Sequence, residues 1–113
     1  AHKIENDSER IYDIVDQMPS FPGGNQALFQ YISSHIKYPA SAAEAGLQGR
    51  VIVTFVVEPD GSITNVKVSK SVDAALDKEA LRLVSSMPRW IPGKQNGKAI
   101  RVKYSVPVSF RLK

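Results

Sequence analysis

From Ile100 to Lys113 the chain alternates without a break. Ile100, Val102, Tyr104, Val106, Val108, Phe110 and Leu112 are apolar, and Arg101, Lys103, Ser105, Pro107, Ser109, Arg111 and Lys113 stand between them. A period of two predicts a long β-strand with one dry face and one wet face. Pro107 has no N–H to give to a neighbouring strand, so the strand is expected along a sheet edge, where the missing donor can point away from the ladder. Such an edge is either blunted by charge or used to pair with another chain.

Gly49 to Glu58 is a second strand pattern, with Val51, Val53, Phe55 and Val57 on one face and Ile52, Thr54 and Val56 largely apolar on the other. Apolar residues on both faces predict a central position. Pro59-Asp60-Gly61-Ser62 is a tight-turn sequence, so Ile63 to Ser69 should return as a hairpin partner. The period changes elsewhere. Phe21-Pro22-Gly23-Gly24 leads into a helix with Asn25 as its candidate cap and Leu28, Tyr31, Ile32 and His35 or Ile36 at helical spacing. Tyr38-Pro39 stops it and opens a short helix, Ala40 to Ala45, closed by Gly46. Asp73 should cap a helix from Ala74 to about Ser86 whose stripe is Leu76, Ala80, Leu83, Val84 and Met87, with Asp77, Lys78 and Arg82 facing water and Pro88 ending it. Arg89 to Asn96 reads as a connection. Residues 1–20 lack a clear period, although Ile11, Tyr12, Ile14 and Val15 give a short extended apolar stretch.

The expected fold is α+β. It is a three-stranded antiparallel sheet, ordered hairpin partner, first strand, last strand, with two main helices packed on one face. Two segments are expected: an extended N-terminal linker, 1–20, and one domain, 21–113. The length of 113 residues with 42% hydrophobic and 23% charged residues suits a single globular core. No apolar run is long enough to span a membrane, and residues 1–20 show no secretory signal pattern. The chain reads as a mature or excised piece of something larger.

The net charge of +4 conceals an asymmetry. From Arg89 onward the charges are Arg89, Lys94, Lys98, Arg101, Lys103, Arg111 and Lys113 with no acid, whereas the first twenty residues carry Glu5, Asp7, Glu9, Asp13 and Asp16 against Lys3 and Arg10. A basic strand edge favours acidic partners, including the N-terminal segment of the same chain, which offers itself as a cover for that edge.

Catalytic and cofactor chemistry find little footing. Cysteine is absent, and the only histidines are His2 and His35, without an acidic pair at ligand spacing, so no metal site is expected. No serine lies in a nucleophile elbow, and no paired carboxylates stand out. Gly93-Lys94-Gln95-Asn96-Gly97-Lys98 has one residue too few between its glycines for a phosphate loop and Ala99 where a magnesium-holding hydroxyl belongs, so it reads as a polar turn. Asp60-Gly61 lacks the alternating oxygen ligands of a calcium loop. Base stacking by the basic sheet would need exposed aromatics beside the basic residues, but Tyr104 and Phe110 fall on the opposite face. A protein with no cofactor, no enzymatic activity and no nucleic-acid partner is expected, single-stranded nucleic-acid binding being the weakest alternative. Trp90 reads as a core-sealing residue.

The order and spacing of Phe21-Pro22-Gly23-Gly24, Tyr38-Pro39, Gly49-Arg50-Val51, Pro59-Asp60-Gly61, Leu76 with Glu79-Ala80-Leu81, Arg89-Trp90 with Pro92-Gly93-Lys94, and the final alternating strand carry a resemblance. Over about residues 21–112 the chain resembles the TonB C-terminal domain family, energy transducers of Gram-negative envelopes. The resemblance implies a periplasmic domain of an inner-membrane-anchored protein. It implies binding of the TonB box, a short peptide of outer-membrane transporters, as a strand added beside the last strand, and transmission of energy derived from the proton gradient for nutrient uptake. The matching stretch is Arg101, Val102, Lys103, Tyr104, Ser105, Val106 and Pro107, with His35, Ile36 and Lys37 lying where the family contacts the same segment. A second implied partner is the inner-membrane proton-channel complex, reached through an N-terminal anchor and proline-rich spacer absent from this sequence. Edge pairing also makes a homodimer an expected state of an isolated domain. The same domain attached to a membrane sensor or peptidase, as an interaction module, is the main alternative.

Overall fold

A computed structural model of the chain describes residues 10–112; residues 1–9 and Lys113, the outer parts of the expected linker and last strand, lie outside the described residues. The elements run β1 (Ile11–Tyr12), α1 (Gly24–His35), α2 (Ala40–Glu44), β2 (Gly49–Val57), β3 (Ile63–Lys70), α3 (Ala74–Ser85), β4 (Lys94–Gln95), β5 (Lys98–Ala99) and β6 (Arg101–Phe110).

The two strands with the strongest patterns pair with each other in an unbroken antiparallel register, from Gly49 opposite Phe110 to Val57 opposite Val102. On the other side β2 pairs with β3 as the predicted hairpin, with two register irregularities along the way. The central position of β2 explains why Thr54 and Val56 on its second face are buried as well as Val51, Val53, Phe55 and Val57 on its first. The first face, together with Val106, Val108 and Phe110 of β6, packs against Leu28 and Ile32 of α1 and Leu76, Ala80, Leu83 and Val84 of α3. Trp90 seals this core. Its ring lies 5.6 Å from Phe21, 5.3 Å from Phe55 and 5.3 Å from Tyr104.

Local chemistry sets the element ends. Asp73 accepts the N–H of Ala75 at 2.9 Å and caps α3, as its position suggested. Asn25 does not cap α1. The helix starts two residues earlier, behind Gly23 at φ 90°, where a left-handed glycine turns the chain and Gly24 donates to the Phe21 carbonyl at 2.8 Å. The hairpin turn depends on Gly61, whose carbonyl accepts the N–H of Trp90 at 2.8 Å. A Cβ on Gly61 would stand 2.1 Å from the Trp90 carbonyl oxygen, so the turn and the tryptophan segment meet only because the side chain is absent.

The three predicted strands are present in the predicted order, and the sheet gains a fourth. β1 pairs in parallel with the start of β6, Ile11 with Arg101 and Tyr12 with Val102, making the order β1-β6-β2-β3. The addition has a physical cause. A strand edge leaves peptide groups unsatisfied, and the segment leading to the domain passes along it before reciprocal backbone bonds tie Gln17 to Lys94 and Ser20 to Ile91. The stretch expected to be a plain connection also contains a small hairpin of β4 and β5, turned by Asn96 and Gly97, both at positive φ.

Candidate functional site

β1 covers only the first two residues of β6, and among the described residues no strand pairs with β6 from Lys103 to Phe110 on the side away from β2. The backbone groups facing that open side can be identified from Pro107. It sits opposite Ile52 in an unbroken register, yet has no N–H to share, so its backbone belongs to the set that points away from β2. Ile52 agrees: its carbonyl accepts the Ser69 hydroxyl on β3 at 3.2 Å and therefore faces the opposite neighbour. By alternation Lys103, Ser105 and Ser109 point the same way as Pro107. The parallel bridge of Tyr12 with Val102 already draws the Lys103 N–H onto the Tyr12 carbonyl, so four carbonyls and two N–H groups, those of Ser105 and Ser109, are offered along the edge.

The side chains divide by face. Val102, Val106, Val108 and Phe110 are buried toward the helices, while Lys103, Ser105, Pro107 and Ser109 are exposed on the outer face. Straddling the edge at its downstream end is a groove of about 670 Å³. Phe29, Ile32 and Ile36 of the α1 region line its helix side, and Pro107, Ser109 and Arg111 line its outer side. Phe29 is 59% exposed, an unusual state for a large apolar residue beside a groove.

Two ion-pair systems brace the surroundings, one at the upstream start of β6 and one behind the helix side of the groove. On the outer face Arg101 grips Glu58 through Nε to Oε1 at 2.9 Å and Nη2 to Oε2 at 3.1 Å, and Thr64 donates to the same carboxylate at 2.5 Å. Partial burial would raise the Glu58 pKa, but the hydrogen bonds from Arg101 and Thr64 outweigh it and hold the carboxyl below its usual range. On the helix side Arg82 donates to both oxygens of Glu79, at 2.7 and 2.8 Å, and to the His35 carbonyl at 2.9 Å. These bonds, chiefly from the Arg82 side chain and also from the Lys37 N–H, lower the Glu79 pKa against the opposing effect of burial.

The residues singled out from the sequence separate on this frame. Lys103, Tyr104, Ser105, Val106 and Pro107 lie along the open edge, whereas Arg101 and Val102 are the register partners of β1. Ile36 lines the groove. His35 is exposed and stacks on Tyr31 with ring centroids 4.1 Å apart, and Lys37 lines a separate depression against α3. Val108, Ser109 and Phe110 extend the edge beyond the expected stretch, and Phe29, Arg50 and Arg111 join the groove. The continued alternation past Pro107 was the signal for the first three. Phe29 was not singled out, although it stands three and seven residues before Ile32 and Ile36, at the margin of the same helical stripe. Among the described residues no group of three or more His, Cys, Asp or Glu side chains is placed to hold a metal ion, and no helix is long and apolar enough to cross a membrane.

The comparison with known proteins agrees with this architecture. The model of the family described as the Gram-negative bacterial TonB protein C-terminal matches residues 34–112. Protein TonB of Helicobacter pylori is 34% identical over 83 residues, covering 73% of this chain and 28% of that protein. Protein TonB of Haemophilus influenzae is 38% identical over 93 residues, covering 76% of this chain and 31% of that protein. The chain therefore spans about a third of the length of these relatives. The solution structure of the H. pylori TonB C-terminal domain superposes with a TM-score of 0.59 at 28% identity, covering 78% of this chain and 79% of that one. The family match takes in α2, α3 and strands β2 to β6, and the chain belongs to the Gram-negative bacterial TonB protein C-terminal family.

Proposed function

We propose that this domain is the periplasmic peptide-binding end of an inner-membrane-anchored energy transducer, and that it binds the TonB box of outer-membrane transporters by adding it as a strand beside β6. The single observation that carries the reading is the edge from Lys103 to Phe110, beside which no described strand pairs on the side away from β2, held in continuous register by its pairing with β2. Six backbone groups, four carbonyls and two N–H groups, can bond an extended peptide. At about 0.5–1.5 kcal/mol net each, reduced by the cost of ordering a flexible segment, they support an affinity around the micromolar range. Such binding permits repeated engagement and release. The role needs no cofactor or catalytic residue, and energy from the proton gradient would arrive through an upstream segment contacting the inner-membrane proton-channel complex.

Titration of a 15N-labelled domain with TonB-box peptides tests the reading. The amides of Ser105 and Ser109 are expected to shift first, because they face the incoming strand. Shifts confined to α1 and α3, with β6 unchanged, would remove it.

A further inference from the structure

A strand laid beside β6 must send its side chains alternately to the two faces of the sheet, and here the two faces differ in chemistry. Toward the helices, the groove offers Phe29, Ile32 and Ile36; toward the outside, the edge and its rim carry Lys103, Arg111 and Arg50. Among the described residues the ion pairs are Glu79 with Arg82 and Glu58 with Arg101, so Lys103, Arg50 and Arg111 take part in none of them. Resting on the strand-addition reading above, we infer that the site selects an extended segment in which acidic residues alternate with apolar ones, the acids toward the basic outer rim and the apolar side chains toward the groove.

Charge complementarity argues for this occupant over a basic or uniformly apolar strand. A basic residue on the outer side would be set against Lys103 and Arg111, neither of which is ion-paired among the described residues. A second apolar row would lie against an exposed face formed by Lys103, Ser105, Pro107 and Ser109, where no apolar wall receives it. The available length is also bounded. β1 occupies Arg101 and Val102, so the paired part of the segment spans at most the eight positions from Lys103 to Phe110.

Four eight-residue peptides distinguish the possibilities: valine alternating with glutamate, with lysine or with serine, and a block peptide of four valines followed by four glutamates. Binding is followed through the β6 amides at low and high salt. The glutamate alternation is expected to bind best, by about threefold over serine and about tenfold over lysine at low salt, with the advantage shrinking as salt screens the rim. The block peptide should bind less well than the alternating one despite identical composition, because no register slip restores both faces. The double variant Lys103→Glu/Arg111→Glu, altering two exposed side chains, should invert the charge preference, and Phe29→Ser should weaken every valine-containing peptide. Equal binding of glutamate and lysine alternations, or of block and alternating peptides, overturns the inference while leaving strand addition intact. If none of the peptides moves a β6 amide, strand addition itself falls.

Discussion

Glu79 accepts the backbone N–H of Lys37 through Oε2 at 2.6 Å, across the gap between α3 and the end of α1. The same carboxylate is held by Arg82, which also binds the His35 carbonyl, so one ion pair fixes both sides of the chain where it leaves α1. Ile36, between those two anchored residues, is thereby presented to the groove. The carboxylate is a buried structural clamp that positions one wall of the candidate site.

Removing the clamp should loosen that wall. Glu79→Ala leaves the Lys37 N–H without its acceptor and is expected to lower stability by about 1–3 kcal/mol, seen as a reduced thermal midpoint. Peptide binding at the β6 edge should weaken in parallel. An unchanged midpoint would show that the clamp contributes nothing net.

The pH dependence follows from the same group. Glu79 and Glu58 both have pKa values lowered in the folded protein, so their stabilisation is complete above the unfolded carboxyl value of about 4.3 and is lost as pH falls through the folded values. Chemical denaturation is therefore expected to show a level stability near neutral pH that declines only in the acid range below about pH 4.3. Glu79→Gln should flatten that decline.

The edge itself can be tested with proline in both directions. Val106 points its N–H toward Val53 on β2, so Val106→Pro removes a ladder bond and should destabilise the domain by about 1–3 kcal/mol. Pro107→Ala adds an N–H on the open side. It should leave the thermal midpoint nearly unchanged while strengthening peptide binding and concentration-dependent self-association, measurable by sedimentation, because the native proline withholds a donor from the edge.

Gly61→Ala is expected to be severe. The new Cβ would meet the Trp90 carbonyl at 2.1 Å and would also demand a positive φ of 88° from a residue with a side chain. A loss of about 3 kcal/mol or more is expected, with a shift in tryptophan fluorescence as Trp90 is displaced from Phe21 and Phe55.

Freeing the upstream edge should change the footprint without changing the mode. Deleting residues 1–12 removes β1, so peptide titration should extend its amide shifts to Arg101. Shifts still ending at Lys103 would mean that β1 does not set the limit.

Much of this domain was legible in the linear pattern. Strict alternation in β6, apolar residues on both faces of β2 and a turn of Pro59-Asp60-Gly61 determine strand, centre and hairpin, because side-chain period and turn stereochemistry are local properties. Asp73 announced its helix for the same reason. The Asn96-Gly97 turn was equally readable, since both residues tolerate positive φ, but the two-residue strands around it were too short to show a period.

Other features exist only once distant segments meet. Glu79 sits at a position where a charged helix residue ordinarily faces water, and only the packing of α3 against the end of α1 buries it. β1 has two residues and no periodic signature; its strand character is conferred by the edge it meets about ninety positions later. The free length of β6 was likewise beyond sequence reach. Pro107 marks the strand as an edge, but how much of that edge remains open depends on where the N-terminal segment turns away, and that is decided by its bonds to Lys94 and Ile91. Local stereochemistry made the strand, while long-range hydrogen bonding and packing left eight of its residues without a described strand on one side and placed an apolar groove beside their downstream end.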